Sequence, residues 1–475
     1  MASAQPPPSP PPPLSAVTVT GPADLDQTED LLAHEHLLYD LTSRYCTPTT
    51  IDLAAIRDEE PTLGRLAVLR QHARYNLASL RAPPRETVAA EVRALRGGRP
   101  AHACAVVDAT VGSSRNLAGL LALSEATGVS IIASAGFSLD EAARSMEVDD
   151  EEGDGGRDEL VERLIRELME GVPVPGQAAP VRCGLLCAGE IPVLAEVARM
   201  SMEAARARDV AMRTLGRAHT RTLAPVLMAL PAPPYLEPGA EGAGAEGYCR
   251  AAVDSAQAMI SVHGVKAGSL LIAHAQNLLL AGSTGRTALD SLCSLGVGLC
   301  FDGFGDSWEV AGCPVDAEEA DSMGLPPSDE LVSRAVASLA NGGHSSQVFL
   351  SHAISSRLHL SAYGGGGLRH IRERLLPRLR RAGVADEATL RMLCAGNAAR
   401  LLAWWEPAGP APRVCKAWTC RGCQRTFEEA VNPAEALPTD QIYYDKFDRR
   451  YCSMHCLSCH RKANFPEPFA CAPPP

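Results

Sequence analysis

Two histidines one residue apart, His34 and His36 in Leu31-Leu-Ala-His-Glu-His-Leu37, form the first chemistry-bearing pair of the chain. Residues i and i+2 of a strand share a face, so both imidazoles can grip one metal ion. Further candidates stand where later apolar runs stop: Glu190, His274 and Asp302 each end such a run, and His352 nearly ends one. A carboxylate at such a place is costly to bury unless it meets a cation, and a carboxylate bridging two metals has one. Singly, each residue is equally well a hydrogen-bonded strand end. Together, five strands ending in ligand-type residues point to a metal centre.

A second constellation lies near the C-terminus. Cys420-x₂-Cys423 is followed after 28 residues by Cys452-x₃-Cys456. Two short thiolate pairs fit a tetrahedral structural zinc, each pair biting one edge. Cys459 or His460 can stand in for one of these, which leaves the fourth ligand open between Cys456, Cys459 and His460. The segment Tyr451–Leu457 resembles the second knuckle of treble-clef fingers. From Cys415 to Pro475 there are eight Lys/Arg against seven Asp/Glu. With a zinc site of four thiolates adding about −2, little electrostatic attraction to DNA or RNA remains. The module therefore reads as a protein-interaction or structural element.

The elements that must position the first set are legible as eight apolar runs: Leu31–Leu37, Cys104–Thr110, Ser130–Gly136, Cys183–Glu190, Pro225–Leu230, Leu270–Ala275, Gly296–Asp302 and Gln347–Ala353. Amphipathic helical patterns separate them, and a closing helix falls near Leu390–Leu402. Such alternation predicts an α/β chain, a (β/α)₈ TIM barrel with its site at the C-terminal strand ends, plus a small C-terminal zinc-binding domain. The expected organisation is a Pro-rich leader over 1–13, the barrel over 14–406, a Pro/Gly linker over 407–414 and the Cys-rich module over 415–475. Residues 147–156 read as an acidic solvated loop, and 231–247 as a Pro/Gly/Ala-rich insertion over the barrel mouth, lid or filler.

Across roughly residues 15 to 405 the motifs resemble, in order, the phosphotriesterase family of the amidohydrolase superfamily, and within it the phosphotriesterase-related branch. The segments that carry the likeness are His34–Leu37, Val107–Thr110, Ser134–Phe137, Gly189–Ile191, Ile272–His274, Phe301–Gly305, Leu350–His352, Tyr363–Gly365 and Asn397–Leu402. The resemblance implies two divalent metals, usually zinc, on six ligands. His34, His36, Glu190 as the bridge and His274 match four of them. The fifth-strand histidine is missing from Pro225-Val-Leu-Met-Ala229-Leu230, and the eighth-strand aspartate is replaced in Ser351-His352-Ala353. That aspartate ligates a metal and orients or deprotonates water in the family, and losing a general base costs on the order of 10²–10⁴ in rate. His352 is the nearest substitute base. Gln276 stands where the family has an acidic residue, and Gly366 where its glycine-rich turn has histidine.

The expectation is a hydrolase-like protein with a degraded metal site, weakly active or a pseudoenzyme scaffold whose zinc finger engages a protein. The alternative is an active zinc-dependent amide or ester hydrolase acting on a small molecule. The formal charge of −12 and pI near 5.6 argue against nucleic-acid and anionic-membrane partners. The absence of a long apolar run and of an N-terminal signal pattern points to a cytoplasmic protein. Cysteines up to Cys394 read as buried free thiols.

Overall fold

Each apolar run forms a strand because it is bounded by turns and buried on both faces, the pattern of a parallel sheet covered by helices. The computed structural model of the chain describes residues 14–97 (except 43, 44 and 49), 102–190 (except 153 and 154), 202–231, 243–305, 327–405 and 415–464 (except 422, 425, 431–443, 447, 448 and 453). The Pro-rich leader, most of the 231–247 insertion and the linker therefore lie outside the described residues. Contacts divide the chain into two compact units, residues 1–407 and 408–475.

In the first unit, β1 (Asp30–Glu35), β2 (Cys104–Asp108), β3 (Ser130–Phe137), β4 (Leu185–Glu190), β5 (Val226–Ala229), β6 (Leu270–Ala273), β7 (Gly298–Phe301) and β8 (Val348–Leu350) form one parallel sheet. Each strand pairs with its sequence neighbours. The sheet curls into a near-closed barrel whose seam is held at the β1 and β8 ends. There the His34 N–H donates to Ser351 Oγ at 3.0 Å, and the Ala353 N–H donates to the His34 carbonyl at 3.0 Å.

Alternation sorts the side chains into two layers. Leu31, Ala33, Ala105, Val107, Leu185, Cys187, Leu227, Ala229, Leu271, Ala273, Cys300 and Phe349 pack inside the barrel. Leu32, Val106, Leu186, Met228, Ile272 and Leu299 face the helices. An N-terminal hairpin, Ala16–Thr18 with Gly21–Ala23, precedes β1. Ser15 bridges to Trp405 at the far end of this unit, with N–H···O distances of 2.8 and 3.0 Å.

The acidic stretch expected to be a loop is largely helical. Helix Leu139–Glu152 carries most of it, and a second helix, Gly155–Met169, starts three residues later.

The second unit is two short hairpins and a helix. β9 (Cys415–Thr419) pairs with β10 (Thr426–Ala430), β11 (Tyr444–Lys446) pairs with β12 (Arg449–Tyr451), and helix Met454–Lys462 follows. Its apolar centre is small: Cys420, Tyr451 and Cys456 are fully buried, with Trp418, Cys423, Cys452 and Leu457 partly so.

Candidate metal centre

The barrel site begins with an irregularity in β1. Its register with β2 shifts between Leu32 and Glu35. Leu31 and Ala33 pack in the interior layer, and His34, within the irregular stretch, and His36, just beyond it, have ring centroids 5.2 Å apart. His274, at the end of β6, lies 5.1 Å from His34, ring to ring. It adopts a left-handed φ of 57°, an uncommon conformation for a residue with a Cβ and one concentrated at functional sites. Three of the sequence-nominated histidines therefore share one place.

Asp302 organises them. Its Oδ2 lies 2.7 Å from His34 Nδ1 and its Oδ1 lies 2.8 Å from His274 Nδ1. The His274 backbone N–H donates to Oδ2 at 3.0 Å and Gln276 Nε2 donates to Oδ1 at 2.9 Å. Gln276 also accepts the Asp302 N–H at 3.1 Å, so one amide clamps both ends of the residue. Burial alone would raise the Asp302 pKa. The imidazoles of His274 and His34 outweigh it and hold the carboxyl well below its usual range. Both oxygens are thus committed to Nδ1 of the two rings, and a metal held by these rings would use their Nε2 atoms. His34, His274 and Asp302 form one compact ligand-type group. Asp302 acts within it as the carboxylate that orients the two rings. His36 Nδ1 pairs similarly with Thr110 Oγ1 at 3.1 Å.

Glu190 ends β4 opposite Ala229 of β5. The Glu190 side chain lies outside the described residues. Ala229 belongs to the interior layer and Leu230 to the helix-facing layer.

His352 lies elsewhere. Its Nδ1 is 2.9 Å from Glu35 Oε1 and its Nε2 accepts the Ile371 N–H at 3.3 Å. Glu35 is fully buried and also accepts the backbone N–H groups of His352 at 2.7 Å and Ile354 at 3.1 Å. Ser351 Oγ sits 2.7 Å from the same carboxylate. His352 and Glu35 together staple the β1/β8 seam. Sequence reasoning passed over Glu35, although a charged residue amid an apolar run is itself a signal that partners await it. The next residue, Ala353, holds a left-handed φ of 50°. At Gly366 a side chain would run into His370, which instead pairs with Asp329 at 2.7 Å.

Burial pushes the Cys183 and Cys187 thiols up to about 12 and that of Cys300 well above its ordinary value. Asp30, His102 and Cys104 also cluster at the opposite end of the barrel. There Arg372 Nε occupies the cation's place, 2.7 Å from Asp30 Oδ2, and burial holds Cys104 as a thiol at about 12.

In the second unit Cys420, Cys423, Cys452 and Cys456 converge. Cys452 Sγ lies 3.6 Å from both Cys423 Sγ and Cys456 Sγ. Zn–S bonds of about 2.3 Å give a tetrahedral edge of roughly 3.8 Å, whereas a disulfide needs about 2.05 Å. The Cys452 N–H donates to Cys420 Sγ at 3.3 Å, as thiolate ligands commonly accept. The donor set fits structural zinc. Of the other two candidates for the fourth ligand, His460 Nδ1 contacts the Tyr451 hydroxyl at 3.0 Å, and Cys459 contacts His455.

Known proteins match both units. A model of the phosphotriesterase family matches residues 15–229 and 247–402, and one of the Vms1-associating treble clef domain matches residues 416–468. The phosphotriesterase-related protein of Nematostella vectensis is 25% identical over 378 residues, covering 78% of this chain and 94% of that protein. The N-acetyltaurine hydrolase of Rattus norvegicus is 25% identical over 380 residues, with 79% and 94% covered. Among solved structures, a resiniferatoxin-binding protein from Rhodobacter sphaeroides aligns with a TM-score of 0.60 at 24% identity, covering 82% of this chain and 94% of the other. The phosphotriesterase homology protein of Escherichia coli, with phosphate in its active site, aligns with a TM-score of 0.52 at 20% identity, covering 79% and 99%. These two structures show the shared fold.

Proposed function

Since this chain belongs to the phosphotriesterase family and carries a Vms1-associating treble clef, we propose that it is a hydrolase-like barrel with a degraded metal site. In this reading it is weakly active or catalytically silent, and it works as a scaffold whose zinc module engages a protein partner. The observation that carries the proposal is the state of the carboxylates around the strand ends. Ala353 replaces the family aspartate. Asp302 is committed to two histidines and Gln276, and Glu35 to Ser351, His352 and Ile354. Asp108 accepts the N–H groups of Leu37 and Thr110, and burial raises its pKa. None of the three is placed to draw a proton from water.

His352, the substitute base suggested by the sequence, has both nitrogens engaged in the seam. His34, His36 and His274 still supply imidazole donors, and with Glu190 they would hold at most an incomplete metal site. A bound metal would act as a Lewis acid and lower the pKa of its water. The chain's own contribution is the orientation that Asp302 and Thr110 give the rings. The treble clef's family name supports a Vms1-type protein as the partner. No described helix is long and apolar enough to cross a membrane.

A second reading, an active zinc-dependent amide or ester hydrolase, is favoured by the curated relatives named N-acetyltaurine hydrolase. Elemental analysis separates the two when combined with turnover of N-acylated amines and esters by the full chain and by Ala229→His/Ala353→Asp. The proposal expects the double variant to gain barrel metal and activity. Rapid turnover by the unaltered chain would overturn it.

A further inference from the structure

The helix of the zinc module carries two metal-type ligands that the four-thiol cluster does not use. His455 and Cys459 stand four residues apart, hence on one face of Met454–Lys462, and His455 Nε2 lies 3.5 Å from Cys459 Sγ. His455 is exposed and Cys459 half-buried, so the pair opens to solvent. Cys456 and His460 on the same helix are buried, one in the thiol cluster and the other against Tyr451.

We propose that His455 and Cys459 form a second binding site, on the surface of the module, for a zinc-class divalent cation. The pair is already set at the bite such an ion requires. Zn–S near 2.3 Å and Zn–N near 2.0 Å, joined at a tetrahedral angle, put sulfur and nitrogen roughly 3.5 Å apart. One thiolate and one imidazole are ligands suited to zinc, and neither resembles the all-oxygen sets chosen by magnesium or calcium. The structural ion does not need them, because its four sulfurs are already grouped with tetrahedral spacing. Among the described residues neither side chain makes another hydrogen bond or ion pair. Two protein ligands leave two positions for water, which makes this a weaker and faster-exchanging site than the buried cluster.

The test is calorimetric titration of Zn²⁺ into the zinc-loaded full chain, freed of loosely held metal, alongside Cys459→Ser and His455→Ala. The unaltered chain is expected to take up one more zinc than Cys459→Ser, and His455→Ala to bind that ion about tenfold or more weakly. Tightly held zinc, measured by elemental analysis, should be the same in all three, and any metal in the barrel is common to them. Equal uptake by the unaltered chain and Cys459→Ser overturns the proposal. So does undiminished affinity in His455→Ala, the mark of a lone thiol. Loss of tightly held zinc in Cys459→Ser overturns it as well, since Cys459 would then belong to the structural site.

Discussion

Ala353 donates its backbone N–H to the carbonyl of His34 while itself holding a left-handed φ of 50°. Such a conformation costs a residue with a Cβ about 1–2 kcal/mol, and aspartate and asparagine tolerate it better than alanine. The backbone at 353 thus holds a shape that aspartate would adopt at less cost than alanine. Ala353→Asp is expected to fold with stability within about 1 kcal/mol of the parent and to raise the metal retained by the barrel. Unchanged metal content by elemental analysis would refute the proposal that ligand loss has degraded the site.

Glu35 and His352 offer a test of staple against catalyst. His352→Ala leaves the buried Glu35 carboxylate without one partner and the Ile371 N–H unpaired. The expected loss of stability is about 3 kcal/mol, read from urea unfolding. Glu35→Gln keeps the shape but halves the acceptor capacity, and should cost about 1–3 kcal/mol. If His352 were the base, its removal would slow hydrolysis and leave the unfolding midpoint in place.

Cys452→Ser should release zinc from the module and unfold it, because the sulfur neighbours Cys423 and Cys456 at 3.6 Å each. Limited proteolysis is expected to cut within residues 415–464 of this variant and to leave the barrel intact. Retention of stoichiometric zinc would argue that the four thiols do not act as one site.

Asp329 gives a pH signature away from the metal centre. Burial would raise its pKa, but the hydrogen bond from His370, the Gly305 N–H and Arg378 together hold it below the usual range. A carboxyl depressed on folding contributes stability above its unfolded value of about 3.9, and that contribution fades as pH falls through the folded value. Asp329→Asn should therefore be less stable than the parent near pH 7, by about 1–3 kcal/mol, and the gap should narrow below about pH 4. A gap independent of pH in urea titrations would show that charge is not what Asp329 contributes.

The eight strands were legible because each is a short apolar run and neighbours in sequence are neighbours in the sheet. His34, His36 and His274 were legible from their places at strand ends. What sequence could not supply depends on distant pairing. The bulge between Leu32 and Glu35 exists only relative to β2, and it determines which residues of β1 face inward. Asp302 was read as a possible ligand, yet its role as an orienter of two rings requires knowing that β1 and β6 both reach it. Residues 147–152 have the composition of a solvated loop, and their helix comes from continuation of Leu139–Glu152. That Ala229 packs inside the barrel and Leu230 against the helices likewise needed the strand's two faces.

The clasps of the barrel also set a timetable for its birth on the ribosome. Glu35 waits for His352, 317 residues later, and Ser15 waits for Trp405. At about 5–20 residues per second, the first strand emerges on the order of 15–60 s before the residues that satisfy its buried charge. During that interval nascent β1 exposes apolar residues and a carboxylate destined for burial. The barrel can therefore close only once the chain has been made through Trp405, with its opening segment kept soluble until the last strand arrives.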